Sequence, residues 1–474
     1  MQAQNLMESG LIAPLLAEAV RRVERREPLG LSGLAGAGKG WLAAALAEAS
    51  GRPLALVTES LDSAEKLLQD TAFFLSKKRA LLFPHWETMP YDNFSPQVEG
   101  LTQRMEALAA LTEGERPVLV VTAQALMQGT IPPETLAALR FTVQAGGTYA
   151  RRELLARLAA AGYVRVDLVE TAGEFSARGD IVDIFPSQLP HPVRLDFFDD
   201  ELESLRLFEV ESQKSFQPLE AVTLYPASEV AVNAETTRRA LAALPHYKSQ
   251  VSRERYRQLH AAVERGAPFP GCEQLLPLFY ERAGWLHEAL PTDTIVLLDD
   301  PARIERRVRD AWDEVLQEYE LCLEQGNLAV PPEAFYLDPA AQERALGGFY
   351  RVPLDELRVE GDGASLVFPF VDNGSLRSLA AASGASVHNA LAGIMDQLRR
   401  WRDGGAEVCL AARSDTGAER LRQVLAEFDL GAAVHPADAG ELRRRIAEPA
   451  DGVRDIAILS GQSSCGLRVV DEGG

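Results

Sequence analysis

Three short, continuously apolar runs constrain the fold of this chain more than any other feature: Leu54-Ala-Leu-Val, Val118-Leu-Val-Val-Thr and Thr294-Ile-Val-Leu-Leu. Apolar runs without polar alternates suit strands buried on both faces, and such strands belong to parallel sheets covered by helices on either side. Helical patterns lie between the runs. Leu11 to Arg25 carries Leu15, Leu16, Ala19 and Val20 as a stripe, and Trp41 to Ala49 follows the short strand Pro28-Leu-Gly-Leu-Ser-Gly. Strands alternating with helices predict an α/β body over residues 1–133. The third run lies far downstream, so the chain is expected to leave this sheet and return, with 229–345 completing the body.

Between these parts the pattern changes at Thr130-Ile-Pro-Pro. A helix over Tyr149–Ala161 is expected, with Thr148 as N-cap and Gly162 just past its end. Strand-like runs at 163–169, 175–185, 193–198 and 202–210, joined by turns rich in Gly, Pro and Asp, predict an antiparallel meander carrying one helix over 134–228. In the first of these, Val164, Val166 and Leu168 are expected to face the core, leaving Tyr163, Arg165 and Asp167 outward. In the run Phe175 to Pro186 neither face is cleanly apolar, and Gly179 is expected to mark a bulge that re-aims Arg178. A last α/β unit, 346–474, is expected to begin near Val359 and to use strands around Ser365–Phe370, Glu407–Ala411 and Asp455–Leu459.

The net charge of −21 argues against general attraction to nucleic-acid phosphates, which needs a basic surface. Cys272, Cys322, Cys409 and Cys465 are scattered, with no CxxC and no histidine cluster, so neither a zinc site nor a disulfide framework is indicated. No apolar run reaches membrane-spanning length, and the start lacks a signal-like basic and apolar stretch, so a cytoplasmic protein is expected. The histidines are isolated from any nucleophile motif.

Gly33-xxxx-Gly38-Lys39 has the frame of a phosphate-binding P-loop, placed between a strand and a helix. Gly40 stands where the motif needs a Ser or Thr to hold magnesium. Two readings stay open: a loop that still cradles a phosphate through backbone amides and Lys39, and a structural relic. Leu297-Leu298-Asp299-Asp300 likewise imitates a Walker B strand, or ends in a turn with Asp300 as the N-cap of a helix that has Pro301 at its first position. The aromatic tract Trp86 to Ser95 invites thoughts of base stacking. Its prolines Pro84, Pro90 and Pro96 favour a rigid connection whose aromatics pack inward.

Several motifs carry a family resemblance. Phe175-Ser-Ala-Arg-Gly-Asp-Ile-Val-Asp-Ile-Phe-Pro, with Val193-Arg-Leu-Asp-Phe-Phe-Asp-Asp-Glu-Leu-Glu behind it, resembles the small second domain shared by UvrB and the transcription-repair coupling factors of the Mfd type. Phe83-Pro-His-Trp-Glu-Thr-Met-Pro-Tyr-Asp-Asn-Phe-Ser-Pro with Arg104 resembles the first Mfd domain, and Gly271-Cys-Glu-Gln-Leu-Leu-Pro-Leu-Phe-Tyr resembles the segment that returns to it. UvrB carries a tyrosine-rich hairpin in its first domain. Between Phe83 and Arg104 there is no room for one, which favours Mfd.

The resemblance implies a degenerate helicase-like, P-loop NTPase-like parallel-sheet domain, an inserted antiparallel α+β domain that docks UvrA, and a further α/β domain. It implies that Arg178 and the aromatic near Phe185 match the UvrA-contacting motif best, while the family's arginine in the first strand falls at Val164, one residue before Arg165. Arg165, outward by alternation, and Arg194, which opens the third strand between Val193 and Leu195, are further candidates. Whole proteins of the family resemble ATP-driven DNA translocases that displace stalled RNA polymerase and recruit UvrA. This chain shows no complete motor motif, so no cofactor, metal or catalytic residue is expected in it. Its terminal run, Gly466-Leu-Arg-Val-Val-Asp-Glu-Gly-Gly, reads as a chain cut inside its last domain. The competing expectation is a UvrB-like ATP-binding, helicase-type enzyme using Gly38-Lys39 and Asp299.

Overall fold

The computed structural model of the protein describes residues 12–76, 78–356, 365–373, 376, 387–404, 408–435, 456–460 and 468–469. Strands β1 (Gly30–Leu34), β2 (Leu54–Thr58), β3 (Ala80–Phe83) and β4 (Val118–Thr122) come first. The next group is β5 (Phe141–Gln144), β6 (Val164–Arg165), β7 (Glu174–Arg178), β8 (Ile181–Ile184), β9 (Val193–Phe198), β10 (Glu201–Phe208), β11 (Ser215–Leu219) and β12 (Ala221–Leu224). Then come β13 (Ile295–Asp299), β14 (Tyr350–Leu354), β15 (Ser365–Val371), β16 (Cys409–Ala412), β17 (Ala432–His435), β18 (Ile456–Ser460) and β19 (Arg468–Val469).

An eight-stranded sheet, in the order β19-β15-β1-β14-β13-β2-β4-β3, forms the centre. Its strands pair in parallel except for β15 with β19. The apolar runs serve both faces, as such runs must. Ala55 and Val57 enter one core with the helices Val98–Thr112 and Pro301–Glu324, while Leu54 and Leu56 enter the other with Ile12–Arg25, Gly38–Ser50 and Leu61–Phe74. The helix Gly38–Ser50 is buried all round from Gly40 to Ala47, and its alanines let neighbours approach closely.

β14 and β15 lie in this sheet, on either side of β1. The strand at 365–371 therefore does not belong to the last unit, where the sequence pattern places it. Phe368 and Phe370 decide this: they pack on Trp41, with ring centroids at 6.2 and 5.2 Å, and close the core over the Gly38–Ser50 helix. A separate parallel sheet, β16-β18-β17, lies in the C-terminal part with the helices Val387–Asp403 and Asp415–Glu427, while β19 pairs with β15 in the large sheet. The expected domain start near Val359, the strand ends at Glu407 and Asp455, and the run Gly466–Gly474 apart from β19 lie outside the described residues. No described helix is long and apolar enough to cross a membrane.

The segment between β4 and β13 enters and leaves through an antiparallel pair, β5 with β12. Inside it, six strands in the order β11-β10-β9-β8-β7-β6 form a sheet covered on one face by the helix Arg151–Ala160, whose Leu154 and Leu158 meet Phe175, Val182, Leu195 and Leu205. That helix starts later than expected. Thr148 bridges Glu201, and the Tyr149 N–H donates to the Asp200 carbonyl at 2.7 Å, so both residues are held extended and Thr148 is not the cap.

The run 175–185 is not one bulged strand but a hairpin: Arg178 pairs with Ile181 across Gly179-Asp180. Gly179 has φ of +57°, as a glycine at the first central position of a type II′ turn does. The expected strand 163–169 is cut to two residues, because the Glu174 carboxylate accepts the N–H groups of Glu170 (2.8 Å) and Thr171 (2.9 Å) and holds that stretch in a turn. The fold is mixed α/β, with one large mainly parallel sheet and separate antiparallel sheets.

Candidate docking face and the closed phosphate loop

The loop after β1 runs directly into the helix Gly38–Ser50, so Lys39 sits in its first turn. Lys39 Nζ lies 2.6 Å from Asp299 Oδ1 at the end of β13, both side chains being largely buried. Asp299 Oδ2 accepts from Thr58 Oγ1 at 3.2 Å. The two residues a nucleotide enzyme would use are thus brought together and neutralise each other. The Gly38 N–H donates to Ala35 O within the loop at 3.1 Å. Asp300 caps the helix Pro301–Glu324, accepting from the Arg303 N–H at 3.3 Å.

Gly40 is closely packed. A Cβ there would lie 2.5 Å from Asp70 Cβ and 2.9 Å from the backbone of Asp70 and Thr71, so the missing hydroxyl has no space. Among the described residues no group of three or more His, Cys, Asp or Glu is arranged to hold a metal. We expect no ATP turnover by this chain, with or without DNA, since magnesium has no hydroxyl ligand here. Phosphate release is the measurement, and turnover abolished by Lys39→Ala would overturn it.

On the face of the six-stranded sheet opposite its helix, Arg178, Phe198 and Arg206 are exposed while Ser176 and Asp183 are buried. Alternation along the ladders assigns the sides. Val182, Ile184, Val193 and Leu195 point to the core, so Ile181, Asp183, Arg194 and Asp196 point outward. Register adds Ser176 and Arg178 on β7, opposite Asp183 and Ile181, and Arg206 on β10, opposite Arg194. Phe185, past the end of β8, continues the outward parity and is half-buried.

Three of the four residues singled out in the sequence, Arg178, Phe185 and Arg194, thus share this face. Arg165 does not. It pairs with the inward Phe175, while Val164 pairs with Glu174 on the outward side. Val164 is 61% exposed and Leu168 40%, so neither faces the core as expected. Tyr163 takes the buried place instead, its hydroxyl donating to Tyr225 O at 2.9 Å.

Arg194 and Arg178 differ in what holds them. Arg194 Nε and Nη2 donate to the two oxygens of Asp183 at 2.8 and 2.9 Å, and its guanidinium lies 4.5 Å from the centroid of Phe208. Asp183 is 1% exposed, so this fork supports the sheet itself. The hydrogen bond to Asp183 raises the Arg194 pKa. Arg178 reaches the same carboxylate at 3.4 Å only, and its side chain is 54% exposed. Two cations share one buried anion, and Arg178 is the one left open. Phe198, not among the candidates from the sequence, ends β9 on this face and is 66% exposed; the alternation of Val193, Leu195 and Phe197 inward is the signal that places it outward.

The other sequence motifs converge beneath the insertion. Arg104 is fully buried, pairs with the equally buried Glu229, and donates to Pro84 O at 3.0 Å and Gly129 O at 3.2 Å, with Phe83 and Trp86 beside its guanidinium. Glu229 stands where the insertion returns to the body. The Gly271 N–H donates to Ser95 Oγ at 3.1 Å, and Gln274 Nε2 to Met89 O at 3.2 Å, clasping the connection 84–97. Trp86 packs inward, as the prolines led one to expect, but Phe94 is 69% exposed.

A family model described as the UvrB interaction domain matches residues 141–230, the segment holding this sheet. Over 441 residues the chain is 31% identical to the transcription-repair-coupling factor of Myxococcus xanthus, covering 88% of this chain and 36% of that protein. The Bacillus subtilis (strain 168) factor is 27% identical over 85% of this chain and 35% of its own length. The Escherichia coli (strain K12) factor is 33% identical over 56% of this chain and 23% of its own length. The chain thus spans about a third or less of the curated relatives it matches. It is similar over most of its length to the transcription-repair coupling factors, and it carries a UvrB interaction domain at residues 141–230.

Proposed function

We propose that this chain is the UvrA-recruiting part of a transcription-repair coupling factor, linking stalled RNA polymerase to nucleotide excision repair. In this reading residues 134–228 are the docking unit, inserted in a body formed by 1–133 and 229–345. The body is a helicase-type sheet that has lost its nucleotide chemistry. RNA polymerase, double-stranded DNA and ATP belong to the whole protein rather than to this chain. The observation that carries the reading is the state of Arg178 on the outer sheet face of the UvrB interaction domain, where it stands exposed beside a carboxylate already engaged by Arg194. A guanidinium in that state gains most from a partner carboxylate, and arginine is enriched among interface hot spots. The competing reading, a UvrB-like ATP-using enzyme, is disfavoured by the Lys39–Asp299 pair and the packed Gly40.

Titration of purified UvrA against the chain tests the proposal. Arg178→Ala is expected to weaken binding by roughly 1–3 kcal/mol, about ten- to hundredfold, with an unchanged circular dichroism spectrum. Arg165→Ala, on the opposite side of its strand, should bind within about twofold of wild type. No wild-type binding at micromolar concentration would remove the function. Equal binding by a folded Arg178→Ala would remove the site.

A further inference from the structure

We propose that Phe198 is the apolar anchor of this docking face, and that it enters a pocket of UvrA ringed by lysine or arginine. The inference rests on the docking reading above and names a residue and a partner chemistry which that reading does not. Along β9, Val193, Leu195 and Phe197 are buried, and the strand ends with Phe198 on the other side, opposite Glu201 of β10. Phe198 therefore stands on the face of Arg178, Ile181 and Asp196. Two strand spacings and two residues of rise separate it from Arg178, about 12 Å. The Phe197 N–H donates to Asp180 O at 2.9 Å, which fixes the end of β9 beside the tip of the Arg178 hairpin.

A single exposed aromatic needs no explanation by itself. The surroundings of Phe198 supply one. Asp199, Asp200 and Glu201 are exposed next to it and Asp196 is half-buried two residues back. None of these four forms an ion pair among the described residues. Phe185, the aromatic expected from the sequence to serve, is only half exposed and keeps less area to offer a partner. An apolar ring within an acidic rim is complementary to an apolar pocket within a basic one. Arg178 on the same face supplies an exposed cation, while Asp180 at its hairpin tip lies 3.8 Å from Arg151, so the uneven charge favours one seating of the partner. Desolvated aromatics at the centre supply most of the strength, and rim charges supply the rate and its salt dependence.

The test is binding of UvrA to the full chain and to Phe198→Ala, Glu201→Lys and Arg178→Ala, with circular dichroism on each. Phe198→Ala is expected to raise Kd about thirtyfold, as loss of a hot-spot aromatic does, with its fold intact because the ring is exposed. Glu201→Lys should slow association severalfold at low salt, with the difference shrinking as salt rises. Should Phe198→Ala bind within twofold of wild type while Arg178→Ala is weakened, the anchor falls and the docking reading stands. Association of Glu201→Lys as fast as wild type at low salt removes the basic pocket. If wild type does not bind UvrA at all, both proposals fall together.

Discussion

Arg104→Met is expected to lower the unfolding free energy by roughly 3–5 kcal/mol, the cost of leaving one member of a buried ion pair without its partner. Both Arg104 and Glu229 are completely buried. Removing the guanidinium strands the Glu229 carboxylate and also deprives Pro84 O and Gly129 O of their donor. Met fills much of the vacated volume, so the loss is electrostatic rather than a cavity. Urea unfolding followed by tryptophan fluorescence is the measurement, because Trp86 packs beside the guanidinium. The midpoint should fall with little change in slope. Arg104→Met combined with Glu229→Leu should recover much of the loss, since an apolar pair can replace a buried ionic one nearly neutrally. A single variant within about 1 kcal/mol of wild type would mean that this pair does not fasten the insertion to the body.

Restoring the P-loop consensus with Gly40→Ser should damage the protein without creating a nucleotide site. The added Cβ meets Asp70 Cβ at 2.5 Å and helix backbone at 2.9 Å. A flexible side chain could turn away from such a contact, but the backbone of the helix Leu61–Phe74 cannot without moving Ala64, Leu67 and Phe74, all part of the same core. Overpacking of this kind costs typically ~1–3 kcal/mol, and here the backbone clash favours the upper end. Gly40→Ala should cost about as much, which separates the volume of Cβ from the hydroxyl. Thermal melting gives the first result, and titration with ATP and magnesium the second. A Gly40→Ser protein that melts like wild type and binds ATP would show that the loop is merely unoccupied rather than closed.

The candidate site was legible in the sequence as a population of residues and not as an arrangement. Arg178, Arg194 and Phe185 stand on one face because β7, β8 and β9 are antiparallel and in register, and the alternation of Val193, Leu195 and Phe197 displays that register well. Arg165 was assigned to the same face from the alternation of Val164, Val166 and Leu168. That assignment failed because β6 pairs for two residues only, and in parallel with β7. A two-residue ladder sets its parity by its partner and leaves its own apolar residues no power to choose a face. The same alternation puts Phe197 inward and Phe198 outward, and the hairpin after them, with Phe198 opposite Glu201, leaves the second ring exposed at the strand end.

By itself the sequence determined the local character of the elements: strands buried on both faces at β2, β4 and β13, and the cap at Asp300 before Pro301; at Gly179 it indicated an irregularity, and the pairing made that a turn rather than a bulge. These follow from residue type within a few positions of chain, where burial period, φ preference and capping chemistry act. Only the tertiary structure decided that Lys39 meets Asp299, that the helix Leu61–Phe74 fills the space beside Gly40, that β15 covers Trp41, and that Arg104 finds Glu229. Each of these joins residues tens to hundreds of positions apart. Their consequence, a neutralised loop and a clasped insertion, depends on distances of a few ångströms that no local preference encodes.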